Sequence, residues 1–274
     1  MRKIKDLTLR GLTWLCAGVT AAMLLFLLAY ILLKGVPHIK PSLFALHYNS
    51  ENVSLFPALV ITVLTVALSL LIAVPLGVFA AVYLAEYAKR GSRFVRLVRT
   101  TAETLAGIPS ILYGLFGSLF FVAWLGWGYS LLAGSCTLAI MILPLVMRTT
   151  EESLKAVPDS YREGAFGLGA GKLRTVFRII LPAAAPGILA GIILAIGRIV
   201  GETAALIYTL GNTADVDPSR GLFTSGRTLS MHMYSLANNA LYTDQAYATA
   251  VVLLVVVIGI NALSAFLAKK IVKR

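Results

Sequence analysis

The chain has 274 residues, of which 58% are hydrophobic and 13% charged, and its net charge is +12. A soluble domain carries about 25% charged residues, so the composition excludes an ordinary soluble enzyme and predicts an all-α membrane protein. The basic residues are spread over short loops between apolar runs, which argues against a nucleic-acid partner and reads as membrane topology.

Six apolar segments follow in chain order. Residues 11–33 come after Arg2, Lys3, Lys5 and Arg10; about 23 apolar residues is too long for a signal peptide and long enough to cross a bilayer, so a retained first helix is expected. Residues 56–84 exceed one straight crossing, and Pro75 predicts a kink or a tilt. Residues 105–125 and 129–147 are joined by Gly126-Trp127-Gly128, a tight turn with the interfacial aromatics Trp124 and Tyr129 around it. Residues 186–210 and 248–267 complete the set. The outer loops 35–55 and 211–247 are polar, and 229–241 predicts a short interfacial helix. Cys16 and Cys136 lie in apolar runs and read as free thiols. His38, His47 and His232 lack metal-ligand spacing and read as surface histidines.

The charges orient the bundle. Of the 24 Lys and Arg, 19 fall at the two termini, in the loop after the second segment and in residues 148–178, four fall in the outer loops, and Arg198 lies within a segment. The positive-inside rule then places both termini and the 148–182 loop in the cytoplasm.

Three stretches carry candidate chemistry. Within the basic loop, Glu163, Gly164, Ala165, Gly169, Ile179, Leu181 and Pro182 stand at a regular spacing. A small residue such as Ala165 lets a helix approach a partner closely, Gly169 permits a turn, and Leu181-Pro182 is expected to end the second helix before the next span. A basic amphipathic helix resting on lipid headgroups is the simpler alternative. The overlapping Gly167-Leu168-Gly169-Ala170-Gly171-Lys172 imitates a phosphate-binding loop but fails it, because Phe166 stands where the first glycine should be and Leu173 where Ser or Thr would hold magnesium. The chain is therefore expected to hold no cofactor, and no catalytic or metal site is expected.

Arg198 and Glu202 are four apart in the fifth segment. On a helix running over 186–210 they share a face and can pair. An unpaired charge at the bilayer centre costs about 2.5–3.5 kcal/mol, so the pair must face the bundle or a watery path. One role is a salt bridge between helices. The other is an anion site, with the guanidinium forking onto a tetrahedral oxyanion and Thr203 nearby as a hydroxyl donor. The pairs Gly187/Gly191 and Gly197/Gly201 provide close-packing faces, toward either this chain or a partner. Glu103, Gly107 and Pro109 open the third segment, where a bend is possible.

The spacing Glu163-Gly164-Ala165-x3-Gly169-x9-Ile179-x-Leu181-Pro182 resembles the EAA motif of ABC-transporter permeases, with Gly164 in place of the middle alanine. Residues 101–117 and Ile196-Gly-Arg-Ile-Val-Gly-Glu-Thr-Ala-Ala205 resemble phosphate-specific permeases of the binding-protein-dependent, type I importer family. The two permease types of that system, PstA and PstC, share both stretches, and the short N-terminus is similar to the PstA type. The resemblance covers about residues 55–268, with a permease domain over 56–268 preceded by a first helix within 1–34. It implies six transmembrane helices, an inner-membrane location and four kinds of subunit. These are this permease, a PstC-type permease, a PstB-type ATPase dimer that holds ATP and magnesium, and an external PstS-type phosphate-binding protein. It implies a substrate path at Arg198, Glu202 and Thr203, and ATPase coupling through the EAA-like residues. A permease for molybdate, sulfate or phosphonate is the nearest alternative; a secondary transporter should show inverted repeats, and none is apparent.

Overall fold

The computed structural model describes residues 2–272 except Arg90 and Val216, and the side chains of residues 2–7, 218, 240 and 267–272 lie outside that description. Several basic residues counted for topology (2, 3, 5, 90, 269, 270, 273 and 274) therefore fall outside it, wholly or by their side chains. Among the described residues the regular elements are helical.

Helix α1 (Arg2–Gly35) stands apart from the bundle, and its apolar surface is exposed. It touches α11 (Thr243–Val272) where Tyr30 meets the edge of Tyr247 at 5.9 Å and where Gly35 lies against the Tyr247 carbonyl. Helix α2 (Phe56–Val82) runs through Pro75 without a break and ends in a π turn, Tyr83–Tyr87. Together these 32 residues are about 48 Å long at 1.5 Å per residue, well beyond a bilayer core. Helix α5 (Leu131–Lys155) is the centre of the bundle, and it reaches two turns past the end expected from hydropathy. Leu138, Met141, Ile142 and Val146 of α5 pack between Ile61 and Ala73 of α2 and Ala195 and Ile199 of α8 (Leu181–Gly201).

The third apolar segment is broken. Helix α3 (Arg93–Ala106) and the helix Ser110–Trp124 are bent by 101° across Gly107–Pro109. Proline disfavours a helical residue before it and lacks an N–H, so a bend belongs there. The Tyr113 hydroxyl donates to the Leu105 carbonyl at 2.7 Å and staples the corner. The first two turns after it form α4 (Ser110–Gly117), and the rest is a π turn, Ser118–Trp124. Gly126 and Gly128 then turn the chain with φ of +69° and +64°, a region where glycine carries no Cβ penalty.

Two expectations at the fifth segment are corrected. The first concerns Leu181-Pro182, which does not end a helix. The chain is helical from Lys172 to Gly201. It begins as α7 (Lys172–Thr175), passes a π turn at Val176–Ile180 and continues as α8. The Leu181 N–H bonds the Val176 carbonyl five residues back, and this wider turn accommodates the missing Pro182 N–H. The second concerns the far end, where the helix stops at Gly201 rather than at 210. Glu202 is extended (φ −74°, ψ 129°), and a separate short helix α9 (Ala204–Ile207) follows.

Helix α10 (Leu229–Ala237) is not interfacial as expected, because Leu229, Ser230, Met231 and His232 are buried. The Leu229 N–H bonds Thr62 Oγ1 of α2 at 2.8 Å, which draws this loop inward. His232 is fully buried and so is not a surface histidine, whereas His38 is half-buried and His47 exposed. Cys16 and Cys136 are free, as expected.

Candidate substrate path and coupling loop

Helix α6 (Asp159–Gly167) and α7 form the two arms of the basic loop. Gly169 sits between them at φ +77°. Its N–H bonds the Phe166 carbonyl at 2.9 Å and the Ala170 N–H bonds the Ala165 carbonyl at 3.0 Å, the paired bonds of a Schellman cap. The glycine that the sequence singled out is therefore the one the turn requires. Around it, Glu163, Gly164 and Phe166 are exposed and Leu168 is 91% exposed. A Cβ added at Gly164 would meet nothing within 4 Å. Ala165 faces the other way. It is buried in this chain, so the small surface left open for a partner belongs to Gly164 and not to Ala165. Ile179 and Leu181 are half-buried, and Pro182 is exposed.

The loop is tied to the bundle by a residue that charge counting passed over. Arg162 NH2 lies 2.6 Å from Glu86 Oε1, in the π turn that ends α2. The same guanidinium donates to the Leu154 and Val157 carbonyls at 2.9 Å each, beyond the membrane half of α5. The Glu86 hydrogen bond raises the Arg162 pKa above its ordinary value, so the charge is permanent. Nearby, Glu151 Oε1 forms ion pairs with Arg99 at 2.5 Å and Lys155 at 2.6 Å, joining α3 to α5. One signal was available in the sequence: Glu86 is a lone acid closing a long apolar run before a basic loop.

Arg198 lies in the last turn of α8. Among the described residues it makes no ion pair or hydrogen bond, and Tyr113 is an electrostatic neighbour. The expected pairing with Glu202 does not form, because the helix that would align them has ended. Glu202 instead caps α9: its Oε1 accepts the Ala205 N–H at 3.1 Å. Its carbonyl accepts the Ser230 hydroxyl at 2.8 Å. Thr203 is half-buried, and its side chain makes no capping bond. Arg198 lines a cavity of about 420 Å³ that opens toward the basic end between α3 and α5. The same cavity is lined by Arg99, Arg148 and Lys155 and by Glu103, Glu151 and Glu152. Arg148 Nε is 2.9 Å from Glu152 Oε1.

The two stretches flanking this path pack on each other. Gly114 of α4 lies so close to Ala205 that a Cβ would come within 2.7 Å of its Cα. Gly117 lies against Thr137 and Thr209. The glycine pairs of α8 separate cleanly: Gly187 and Gly191 abut Ser153 and Thr149 of α5, while Gly197 and Gly201 face open space.

The model for the binding-protein-dependent transport system inner membrane component matches residues 73–274. The chain belongs to this permease family. It is 33% identical over 295 residues to "Probable ABC transporter permease protein YqgI" of Bacillus subtilis (strain 168), covering 100% of this chain and 98% of that one. It is 36% identical over 216 residues to the phosphate transport system permease protein PstA 1 of Mycobacterium tuberculosis (strain CDC 1551 / Oshkosh), covering 77% and 69%. A chain from the crystal structure of a bacterial alginate ABC transporter, solved with its pentasaccharide-bound periplasmic protein, superposes with a TM-score of 0.68 at 17% identity, over 95% of this chain and 96% of that one. The permease is thus a multi-pass inner-membrane protein with the type I importer fold. Among the described residues, five helices are long and apolar enough to cross a membrane, and the bent pair makes up to six.

Proposed function

We propose that this permease is half of the translocation path of an ATP-driven importer of inorganic phosphate. The observation that carries the proposal is Arg198, a half-buried guanidinium with no protein counter-charge among the described residues, at the head of a cavity that leads to the basic end. A fork of donors left free in this way suits a tetrahedral oxyanion. Relatives named as phosphate transport permeases support phosphate as that anion. Thr203 supplies a hydroxyl beside the helix break, and Glu202 positions the break by capping α9. The alternating acids and bases below Arg198 keep the anion from binding too tightly to leave.

In this proposal the basic end faces the cytoplasm. The exposed Leu168 and Phe166, with the open side of Gly164 and with Glu163, enter a groove on a PstB-type ATPase. A second such ATPase serves a PstC-type permease across the path, and a PstS-type protein delivers phosphate from outside. ATP closes the ATPase dimer, the paired loops are drawn together and the path opens outward; hydrolysis resets it. ATP and magnesium stay with the ATPases. The sequence Gly167 to Lys172 is the cap of α6 and the start of α7, with Leu173 where a magnesium-binding hydroxyl would stand.

The test is uptake of labelled phosphate into vesicles carrying this chain alone, or this chain with its partner permease, ATPase and binding protein. ATP-dependent uptake only in the full set, competed by phosphate but not by sulfate or molybdate and lost in Arg198→Gln, is the expected result. Uptake by this chain alone, driven by an ion gradient, would overturn the proposal; competition by molybdate or sulfate would move the permease to another oxyanion.

A further inference from the structure

A second arginine is held in a state that the transport mechanism above does not explain. Arg227 lies at the end of the bundle opposite the coupling loop and is only 5% exposed. Its Nε and one terminal nitrogen are buried without a hydrogen-bond partner. The guanidinium stacks on the Tyr48 ring at 4.7 Å. The edge of the fully buried His232 packs on the same ring; neither of its ring nitrogens meets a partner at hydrogen-bond geometry, and the Val53 backbone is its polar neighbour. Among the described residues no carboxylate pairs with Arg227. Of the acids in the neighbouring loops, Asp215 lies beside His47, Asp217 with Ser219 and Arg220, and Asp244 beside His38, while Glu51, on the loop that carries Tyr48, is exposed and forms no ion pair with Arg227. The imidazole is kept neutral by burial and by the arginine, its pKa lowered to about 3, so it can donate one N–H and adds no competing charge.

Burying an uncompensated cation is costly, and a core that needed only packing would be served better by an apolar side chain. The position is also connected to the path. Gly226 packs on Ile61 of α2, and Ser230 bonds the Glu202 carbonyl, so the Arg227 segment rests against the break that follows Arg198. We propose that Arg227 and His232 form a second oxyanion site, at the far end of the path from the coupling loop, with the Tyr48 ring as its cover. The site takes phosphate, or an anion of the same tetrahedral class, when the loop carrying Tyr48 lifts. The choice of anion and the idea of a path rest on the transport proposal; the site itself does not.

Two measurements on the assembled complex in lipid nanodiscs decide it. The first is labelling of Arg227 by p-hydroxyphenylglyoxal, read by peptide mass spectrometry. Tyr48→Ala should speed the labelling, and phosphate should slow it while chloride does not. Protection by sulfate and not by phosphate would keep the site and sink the phosphate proposal. No protection by any tetrahedral oxyanion would overturn the site. The second compares Arg227→Met with wild type. The complex is expected to assemble and melt no lower, while uptake falls about tenfold or more, the loss expected when a charged hydrogen-bond partner is removed from an anion. Unchanged uptake overturns the proposal. So does a complex that fails to assemble or melts lower, because the charge is then a structural lock between the outer loops.

Discussion

Arg162 shows how much one side chain can join. It reaches Glu86 at the end of α2, the Leu154 carbonyl in the last turn of α5, the Val157 carbonyl just beyond it and Asp159 within its own arm of the loop. Its side chain is 17% exposed and that of Glu86 is 8% exposed. The two partners are not equivalent. Arg162→Ala leaves the Glu86 carboxylate buried with no cation, and removing one partner of a buried pair costs about 3 kcal/mol or more. Glu86→Gln leaves the guanidinium its carbonyls and Asp159, so it should cost about 1–2 kcal/mol. Thermal unfolding of the purified chain would order the two. The same variants should also lose ATPase co-purification in that order if the loop docks the ATPase as proposed, because this contact fixes the loop against α2 and α5. Equal melting of both variants and wild type would reduce the contact to a surface ion pair.

At the scale of elements, the glycines of α8 make two different surfaces on one helix. Gly187 and Gly191 let α8 sit directly on Ser153 and Thr149 of α5, and Gly197 and Gly201 touch nothing in this chain. Gly191→Val should overpack the α5 contact and destabilise the chain by about 1–3 kcal/mol. Gly197→Val should leave its melting unchanged but weaken association with the second permease or narrow the path beside Arg198. A Gly197→Val chain that unfolds as readily as Gly191→Val would remove that distinction. The spacing alone shows both pairs and cannot tell them apart, since which face meets α5 depends on the register of two helices. The same limit applies to the π turns. Pro182 reads as a helix stop because a regular helix has no place for its ring; a wider turn behind it provides one, and nothing in the local residues announces that turn. At Glu202 a four-residue spacing suggests a salt bridge, yet a carboxylate that follows a glycine-ended helix caps the next helix instead.

For the whole molecule, composition and hydropathy carried most of the architecture. Apolar runs located the spans, Gly107 and Pro109 marked the corner, and Gly169 marked the loop turn, because each rests on chemistry local to a few residues. The inserted α10 and the buried His232 depend on packing between distant parts of the chain and left no local trace, and the Arg162 contact left only Glu86, a lone acid closing an apolar run. Orientation is the remaining property of the whole, and it rests on charge. By sequence, 19 of the 24 basic residues belong to the termini and loops assigned to the side of the 148–182 loop, and such an excess in short loops favours the cytoplasmic side. With Cys16 and Cys136 replaced by serine, a cysteine at Ser160 in α6 and one at Ser219 in the opposite loop would report the two ends separately. Ser219 is exposed and turned by its own bond to Asp217, so its replacement disturbs no packed surface. A membrane-impermeant maleimide added to intact spheroplasts should label Ser219→Cys at once and Ser160→Cys only after the membrane is opened. The reverse pattern would put the coupling loop outside, beyond the reach of any ATPase, and the transport proposal would fall with it.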